Sequence, residues 1–274
     1  MCPTPIGNLQ DVTLRVLETL ARADVLACED TRRTGLLLKR HGLSGAALVS
    51  LHEHNERARV PELIARMRAG ALVALVSDAG TPLVADPGFA LVRACLKAGI
   101  DVEVLPGASA VITALAASGL PAERWCYGGF LPRKRAALAA LLGSCTETLV
   151  AFESPRRLPS TLRLLAELDP ERPAAVCREL TKLHEEVRRG SAAELAAHYG
   201  EREPRGEIVL VIGAAAPERA RKSEALQAMA ELVRGGARAR AAAATVAKLT
   251  GLAANDLYEE LARGAERPGA GARR

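Results

Sequence analysis

The chain has 274 residues, of which 49% are hydrophobic and 3% aromatic, and it carries a formal net charge of +5. A length of this order suits two domains with a sizeable core of leucine, valine and alanine, and the basic charge is compatible with a nucleic-acid partner. No apolar run approaches the length of a membrane span and no signal peptide fits before the first loop, so the composition predicts a soluble cytoplasmic protein.

The first 118 residues alternate between strand-like and helical patterns. Short apolar runs predict strands at 23–28, 47–51, 71–77 and 101–106. Apolar residues at helical spacing predict helices at 12–23, with Asp11 as the N-cap, and at 58–69, 88–98 and 109–118. This alternation is typical of a parallel sheet, so residues 1–118 are predicted to form an N-terminal α/β domain.

Residues 119–213 are predicted to form a second α/β domain. The sequence SGLPAERWCYGGFLPRK at 118–134 interrupts the alternation and is typical of a linker. Strands are then predicted at 148–152, 174–177 and 207–213. A helix is predicted to begin at Ser154-Pro155, with Ser154 as the N-cap, and to present Leu158, Leu162 and Leu165 on one side.

Residues 214–274 are rich in alanine and arginine and contain no strand pattern. The stretch 238–263 predicts two helices joined at Thr250-Gly251. The spacing of Ala247, Gly251 and Leu257 fits a helix-turn-helix, and a plain helical hairpin fits the composition as well. This part is therefore predicted to be a small helical segment that ends in a disordered tail, 264–274.

The cysteine and histidine patterns disfavour a metal site. The six cysteines include no C-x-x-C pair and stand mostly in apolar stretches, which favours buried free thiols. The stretch LHEHNERAR (51–59) brings His52, Glu53, His54 and Asn55 together in the chain. However, adjacent residues of an extended segment point apart, and the helix-spaced histidine pair of zinc enzymes is missing. No metal is predicted.

Three loops rich in glycine and proline each precede a predicted helix: PTPIGN (3–8), SDAGTPLVADPG (77–88) and PGASA (106–110). Ligands of open parallel sheets bind at the carboxyl ends of the strands, and glycine allows the backbone to approach them closely. Three such loops in one domain favour a ligand site over ordinary turns. The usual dinucleotide and P-loop motifs are missing, so those ligand classes lose their support.

The loops and their flanking residues also resemble a known family. Two long stretches are similar to the tetrapyrrole methylase superfamily: PTPIGNLQDVTLRVLETLARADVLACEDTRRTGLLL and ALVSDAGTPLVADPGFALVRACLKAGIDVEVLPGASAVITALAASGLP. Shorter stretches further on agree with them: GGFLPRK, FESPRRL, CRELTKLHEE and GEIVLVI. Within it they resemble the branch that methylates small-subunit ribosomal RNA. The resemblance implies two α/β domains with an S-adenosylmethionine cleft between them. It also implies methylation of the ribose 2′-hydroxyl of a cytidine in 16S rRNA.

The resemblance further implies which residues contact the cofactor. The second loop would contribute Gly80, Thr81 and Pro82, in place of the Gly-Asp-Pro turn of cofactor-binding relatives, and Asp78 would supply the missing acidic group. The first loop would place Pro5 against the cofactor. The third loop would contribute Ser109 and Ala110, and the second domain would close over the cofactor with Phe152 and Glu153.

Methyl transfer from a sulfonium needs alignment and a proton acceptor for the ribose hydroxyl. Asp30, Asp86 and Glu153 are unranked candidates for that base, and water is an alternative. In CEDTRRTGLLL (28–38), Asp30 could instead cap a helix, with Arg32 and Arg33 solvated. Otherwise those arginines contact RNA phosphates. The other candidates for RNA contacts are Arg133, Lys134, Arg156 and Arg157.

Two alternative functions stay open from the sequence: a tetrapyrrole carbon methyltransferase on the same fold, and a ribosome assembly factor without catalysis. The partner implied by the resemblance is small-subunit rRNA or the 30S subunit, and the chain is expected to form a homodimer. Only Met1 and Cys2 precede the first loop, where the family has a full strand. We therefore expect the native start to lie upstream of Met1, or this form to be truncated and less stable.

Overall fold

A computed structural model describes residues 1–200, 204–215 and 217–265 of the chain. These residues form two compact units. The first unit consists of 1–117 together with 177–187, and the second consists of 118–176 and the described residues from 188 onwards. The division into domains at 118 and 213 stays a prediction.

The first unit is built on a parallel sheet of three strands, as the alternating pattern predicts. The strands are β1 (Val25–Cys28), β2 (Ala47–Ser50) and β3 (Val73–Val76), in the order β2-β1-β3. Val25 pairs with Ala47 on one side and with Val73 on the other. Because all three strands run the same way, their carboxyl ends share one edge of the sheet.

The first two residues extend this sheet beyond β3. The amide of Cys2 donates to the carbonyl of Leu75 over 2.8 Å, and the amide of Leu105 donates to the carbonyl of Met1 over 3.1 Å. The predicted strand at 101–106 is wrong, because no strand is assigned there. Its neighbour in the sheet is the two-residue segment at Met1 and Cys2, which offers too few backbone partners for a regular ladder.

Five helices accompany these strands: α1 (Leu14–Arg22), α2 (Thr31–Arg40), α3 (Glu56–Arg68), α4 (Phe89–Lys97) and α5 (Ala110–Ser118). Leu26 and Cys28 pack in one apolar cluster with residues of α1 and α2, whereas Val25 and Ala27 pack in another with residues of α3 and α4. The helices therefore lie on both faces, as in other parallel α/β sheets.

The predicted N-cap of the first helix is wrong. Asp11 ends a short 3-10 helix, Leu9–Asp11, which Asn8 caps by accepting from the amide of Gln10. Thr13 is the N-cap of α1, where its hydroxyl oxygen accepts from the amide of Val16 over 3.2 Å. Both caps are the polar side chains that satisfy free amides at a helix start.

A second sheet has five strands, and most of its residues belong to the second unit. The strands are β4 (Trp125–Phe130), β5 (Thr148–Glu153), β6 (Pro173–Arg178), β7 (Glu186–Ser191) and β8 (Ile208–Ile212), in the order β4-β5-β8-β6-β7. β4 runs parallel to β5, and β8 runs antiparallel to it. The predicted linker at 118–134 is therefore wrong, because it contains β4. Both strands that the sequence missed, β4 and β7, are edge strands, whose apolar signal is weak.

Three helices pack on this sheet: α6 (Arg135–Ser144), α7 (Leu158–Leu168) and α8 (Ala192–Gly200). The predicted burial of the leucines at 158, 162 and 165 is confirmed. The predicted N-cap at Ser154 is wrong, since α7 begins at Leu158 and its N-cap is Arg157. The carbonyl of Ser154 instead accepts from the amides of Arg157 and Leu158 in a preceding turn.

The C-terminal helices are α9 (Pro217–Arg234), α10 (Ala239–Thr250) and α11 (Ala254–Ala265). The two helices predicted around Thr250-Gly251 are present as α10 and α11, and α9 adds a third to their cluster. Leu257 is fully buried beside Val246 and Met229. The predicted disordered tail lies outside the described residues from position 266 onwards. Whether α10 and α11 act as a helix-turn-helix stays a prediction.

All six cysteines are free thiols. Four of them are buried, and Cys126 and Cys145 are partly exposed, with sulfur atoms 3.5 Å apart. Along the described stretches 1–200, 204–215 and 217–265, no helix combines the length and apolar character needed to cross a bilayer.

A buried arginine connects the ends of α6 and β8 in the second unit. Arg172 is only 2% exposed and donates through Nε to the carbonyl of Gly213 over 2.7 Å. Its two terminal nitrogens donate to the carbonyls of Leu142 and Cys145. These carbonyls belong to the ends of α6 and β8, where a helix or strand leaves backbone groups without partners.

We expect Arg172→Met to lower the free energy of unfolding by about 2–5 kcal/mol, because the buried carbonyls of Leu142 and Gly213 lose the guanidinium that donates to them. Urea unfolding followed by the fluorescence of Trp125, which lies in the same unit, measures this change. The matched control is Arg135→Met, which removes an exposed ion pair with Glu167 and costs less than about 1 kcal/mol. Equal effects of the two substitutions would contradict the role of Arg172.

Candidate active site

The first two glycine- and proline-rich loops are joined by their backbones. The amide of Thr4 donates to the carbonyl of Gly80 over 2.8 Å, and the amide of Gly80 donates back to the carbonyl of Thr4 over 2.9 Å. The hydroxyl of Thr4 also donates to the carbonyl of Ser77. The hydroxyl of Ser77 in turn donates to the carbonyl of Gly80 over 2.8 Å. Loop 3–8 is thus fixed against loop 77–88.

The third loop, 106–110, completes the group. The hydroxyl of Thr81 donates to the carbonyl of Ala108 over 3.3 Å. Gly107 packs against Pro3, and a Cβ atom at position 107 would come within 2.6 Å of the Cβ atom of Pro3. Glycine is therefore required at 107 for this close approach. All three loops that the sequence singled out lie together in the first unit.

A fourth segment, within the stretch CRELTKLHEE (177–186), supports the first loop. The amide of Asn8 donates to the hydroxyl oxygen of Thr181 over 3.0 Å. Glu179 and Thr181 have positive φ values of 51° and 66°, which cost energy in residues with a side chain. Two such residues close together in a loop were not recognisable from composition, because neither is glycine or asparagine.

The second loop carries similar strain next to Asp86. Leu83 and Ala85 have φ values of 77° and 68°. Strained backbone of this kind persists only where its surroundings hold it, and it concentrates at functional sites. The loop ends at α4, whose first amides are capped from another helix: Oε1 of Glu56 accepts from Ala90 over 2.7 Å.

Three carboxylates gather after β1 and β3: Glu29, Asp78 and Asp86. Burial raises the pKa of Asp86 from 3.8 to about 7, and the charges of Glu29 and Asp78 add to the increase. Burial and the charge of Asp78 also raise the pKa of Glu29. The Oδ2 atom of Asp86 is buried and has no hydrogen-bond partner among the described residues. The Asp86 carboxyl is therefore harder to ionise than an exposed one, because it is buried next to two other acids.

Asp30 lies beside the cluster but is used differently. Its Oδ1 atom accepts from the amide of Arg32 over 2.8 Å at the start of α2, and Oδ2 contacts the Arg32 guanidinium at 2.7 Å. Hydrogen bonds from the side chain and backbone of Arg32 lower the pKa of Asp30 to about 2. Asp30 is thus the N-cap of α2, which confirms the prediction that it caps a helix.

Asp78 connects Asp30 to the loops. Its Oδ1 atom accepts from the amide of Asp30 over 2.9 Å, and its Oδ2 atom lies 3.6 Å from Nε of Arg33. The charges of both predicted RNA-contacting arginines in this unit, Arg32 and Arg33, are therefore partly neutralised by acidic neighbours. Their predicted contact with RNA stays a prediction.

His52 follows β2 at the same edge of the sheet. Its Nδ1 atom is buried and has no hydrogen-bond partner in the part of the chain that the structure describes. Asn55 holds the turn, because its side-chain oxygen accepts from the amide of His52 over 2.8 Å. Across the described residues, no group of three or more His, Cys, Asp or Glu side chains could hold a metal ion.

The remaining predicted cofactor residues of the first unit lie within the three loops. Pro5 and Pro82 are buried, whereas Ser109 and Ala110 are partly exposed at the start of α5. Phe152 and Glu153 belong to the second unit, where β5 ends. The structure thus brings together Pro5, Asp78, Gly80, Thr81, Pro82, Asp86, Ser109 and Ala110.

Glu153 is 4% exposed and fully engaged inside the second unit. Its Oε1 atom accepts from the amide of Ser154 over 2.7 Å. Its Oε2 atom accepts from the hydroxyl of Thr161 and lies 3.3 Å from the guanidinium of Arg157. A carboxylate with these partners has no accessible oxygen for a substrate proton, so the geometry favours a structural role.

The predicted RNA-contacting residues of the second unit are either engaged with the backbone or exposed. Arg157 points inward, where its terminal nitrogens donate to the carbonyls of Leu131 and Pro132 over 3.0 and 2.7 Å. The other predicted RNA contacts are exposed and have no ion-pair partner among the described residues: Arg133, Lys134 and Arg156.

Comparison with known proteins identifies the sequences and folds that the chain resembles. The family model described as Tetrapyrrole (Corrin/Porphyrin) Methylases matches residues 2–196. Ribosomal RNA small subunit methyltransferase I of Mesorhizobium japonicum is 46% identical over 265 residues, which are 94% of this chain and 89% of that protein. The protein of the same name from Escherichia coli O157:H7 is also 46% identical, over 94% of this chain and 92% of its own length.

The fold is also similar to that of solved structures. Uroporphyrin-III-C-methyltransferase from Thermus thermophilus has a TM-score of 0.54 and 28% sequence identity, and the match covers 77% of this chain and 92% of that chain.

The raised pKa of Asp86 predicts a pH-dependent contribution to stability. An acid whose pKa is higher in the folded state binds protons more readily there, so its contribution is present at about pH 4 and is lost as the pH rises through about 7. We expect the decline in the free energy of unfolding over this pH range to be about 2 kcal/mol smaller in Asp86→Asn. Urea unfolding followed by far-UV circular dichroism across this range measures it, with the exposed Asp11→Asn as control. Parallel pH profiles of wild type and Asp86→Asn would contradict the assignment.

Proposed function

Because the chain belongs to the tetrapyrrole (corrin/porphyrin) methylase family, we propose that it transfers a methyl group from S-adenosylmethionine to the ribose 2′-hydroxyl of a cytidine in small-subunit (16S) ribosomal RNA. Relatives named for that RNA are 46% identical over 94% of the chain, whereas the solved uroporphyrin-III enzyme is 28% identical. The observation that carries the proposal is the group of three interlocked loops beside a carboxylate cluster in the first unit.

The residues of the first unit fit this cofactor. S-adenosylmethionine carries a sulfonium and an ammonium, and the cluster of Glu29, Asp78 and Asp86 supplies negative charge with an unpartnered oxygen. The contact of Gly107 with Pro3 holds the third loop against the first, so the loops that would line the cofactor site lie close together. The residues that would hold the cofactor are Pro5, Asp78, Gly80, Thr81, Pro82, Ser109 and Ala110. The cofactor role of Phe152 stays a prediction.

When bound, S-adenosylmethionine supplies an activated methyl group, so the chain's own residues have to orient the ribose hydroxyl and accept its proton. Asp86 is the best of the three candidate bases. Its pKa of about 7 matches neutral operating conditions, whereas that of Asp30 is about 2, which makes Asp30 a weak base. Glu153 is buried in hydrogen bonds of its own unit.

We assign RNA contacts chiefly to the second unit. Arg133, Lys134 and Arg156 are exposed and available for phosphates, which position a substrate without reading its sequence. Arg157 holds the backbone from which the first two project. Free rRNA and the 30S subunit are both candidate substrates. A cytoplasmic location and a homodimer complete the proposal.

The direct test is tritium transfer from labelled S-adenosylmethionine to 16S rRNA, to 30S subunits and to a porphyrinoid. We expect transfer to an RNA substrate and a label that maps to a cytidine ribose. Transfer to the porphyrinoid alone would favour the tetrapyrrole carbon methyltransferase. Failure to bind S-adenosylmethionine at all would favour an assembly factor without catalysis.

The pH dependence of the same reaction tests the base. With Asp86 as proton acceptor, kcat/KM should rise with pH through about 7 as the carboxyl ionises. The Asp86→Asn enzyme should lose this rise together with about 10²-fold or more in kcat. An Asp86→Asn enzyme with the wild-type rise in kcat/KM would remove Asp86 from this role.

Two substitutions at Asp78 separate charge from positioning. Asp78→Ala should weaken S-adenosylmethionine binding about tenfold or more, because a charged hydrogen-bond acceptor is lost. Asp78→Asn keeps an oxygen for the amide of Asp30. If it weakens cofactor binding as much as Asp78→Ala does, the charge of Asp78 is what binds the cofactor. If it binds the cofactor normally, Asp78 acts by positioning the start of α2. Isothermal calorimetry measures both, with the exposed Asp101→Ala as control. Unchanged affinity in both Asp78 variants would contradict any contact with the cofactor.

A further inference from the structure

Three aromatic rings gather at one place in the second unit. The chain contains only three phenylalanines, three tyrosines and one tryptophan. Nevertheless, the ring of Phe152 packs against those of Tyr127 and Phe130, with centroids 5.8 and 5.3 Å apart. The cluster lies near the carboxyl ends of β4 and β5, the parallel edge pair of the sheet.

A β-bulge creates the cluster. Tyr127 pairs with Val150, and the next aligned pair is Phe130 with Phe152. Between these pairs β4 advances by three residues and β5 by two. In a regular strand, residues three apart point to opposite faces. The extra residue allows both aromatic side chains of β4 to reach Phe152, and Gly129, with φ of 61°, adopts the conformation that the bulge requires.

The rings are not part of the core. Phe130 is 70% exposed and Tyr127 is 37% exposed, whereas the apolar cluster beneath them consists chiefly of aliphatic side chains. A single exposed phenylalanine needs no explanation. Here, however, a bulge places a largely exposed ring beside two others, which forms an aromatic surface open to solvent.

Basic residues flank this aromatic surface. Arg133 and Lys134 follow Phe130 by three and four residues, and Arg156 follows Phe152 by four. Arg157 joins the two segments, because it donates to the carbonyls of Leu131 and Pro132. The exposed cations therefore project from two loops that are held together just beyond the rings.

We propose that the aromatic surface of Tyr127, Phe130 and Phe152 stacks an unpaired nucleobase of the RNA substrate, while Arg133, Lys134 and Arg156 contact the adjacent phosphates. This inference rests on the proposed function and extends it from the reaction to the mode of RNA binding. Unpaired bases offer an apolar face between charged phosphates, which matches exposed rings flanked by cations. Phe152 thereby belongs to the RNA side of the reaction.

Stacking and charge make separable contributions. A π face accepts any base, so the aromatic surface provides affinity and holds a nucleotide out of a helix without reading its identity. Phosphate contacts release counterions and make binding salt-dependent, whereas stacking does not. Substitutions at Phe130 and Arg133 should therefore differ in their effect on the salt dependence of binding.

The experiment measures the binding of a single-stranded oligoribonucleotide that carries one 2-aminopurine, whose fluorescence falls when it stacks. Phe130→Ala and Phe130→Leu should both weaken binding about 5- to 100-fold and lose the quenching, with the salt slope unchanged. Phe130→Trp should retain both the affinity and the quenching. Arg133→Ala should reduce the salt slope and keep the quenching. The control is Phe89→Ala, at a phenylalanine of similar exposure, 66%, in the other unit.

The same variants are assayed for methyl transfer to 16S rRNA, so that the two proposals fail separately. Wild-type binding and quenching in Phe130→Leu would overturn the stacking site, even if the enzyme methylates RNA normally. Loss of quenching in Phe130→Leu would support the site, even if wild type transfers no methyl group to RNA and the proposed function fails. A shift in oligomeric state with normal RNA binding would identify the rings as a contact between two copies, which also overturns the inference.

Discussion

The reciprocal hydrogen bonds between Thr4 and Gly80 are the constraint on which the candidate site depends. They join the loop before the first helix to the loop after β3. The hydroxyls of Thr4 and Ser77 donate to carbonyls of the same turn and hold it in place. Asp78 lies two residues from Gly80 and bonds the start of α2. The carboxylate cluster is therefore positioned by backbone geometry, which substitution of surface residues would not alter.

The parallel sheet of the first unit and its three loops were predictable, because strand and helix periodicities and glycine-proline punctuation are local signals. The failures have physical causes of a different kind. β4 and β7 are edge strands, and their sequences are interrupted by glycine or rich in charged residues. The segment around Leu105 resembles a strand in composition, but a ladder needs a neighbour of equal length, and none lies beside it.

The candidate site was predictable in its residue types but not in their roles. Asp30, Asp86 and Glu153 are equivalent acids in the sequence, and only burial and partners separate them. Asp30 caps a helix and Glu153 bonds inside its own unit, whereas one oxygen of Asp86 has no hydrogen-bond partner within the described parts of the chain. The arginines divide in the same way, since Arg157 holds two carbonyls while Arg156 beside it is exposed. Such distinctions depend on contacts between distant residues, which no local pattern contains.

The uneven distribution of aromatic residues has a consequence for optical spectroscopy. Trp125 and all three tyrosines, at 127, 199 and 258, lie in the second unit, and the first unit has Phe89 as its single aromatic residue. Tryptophan and tyrosine fluorescence therefore report on the second unit, and near-ultraviolet dichroism does so apart from the weak contribution of Phe89. A ligand that orders only the loops of the first unit would leave both signals nearly unchanged. Conversely, a tryptophan introduced into that unit would contribute a second, separable emission and would reveal whether the two units unfold together.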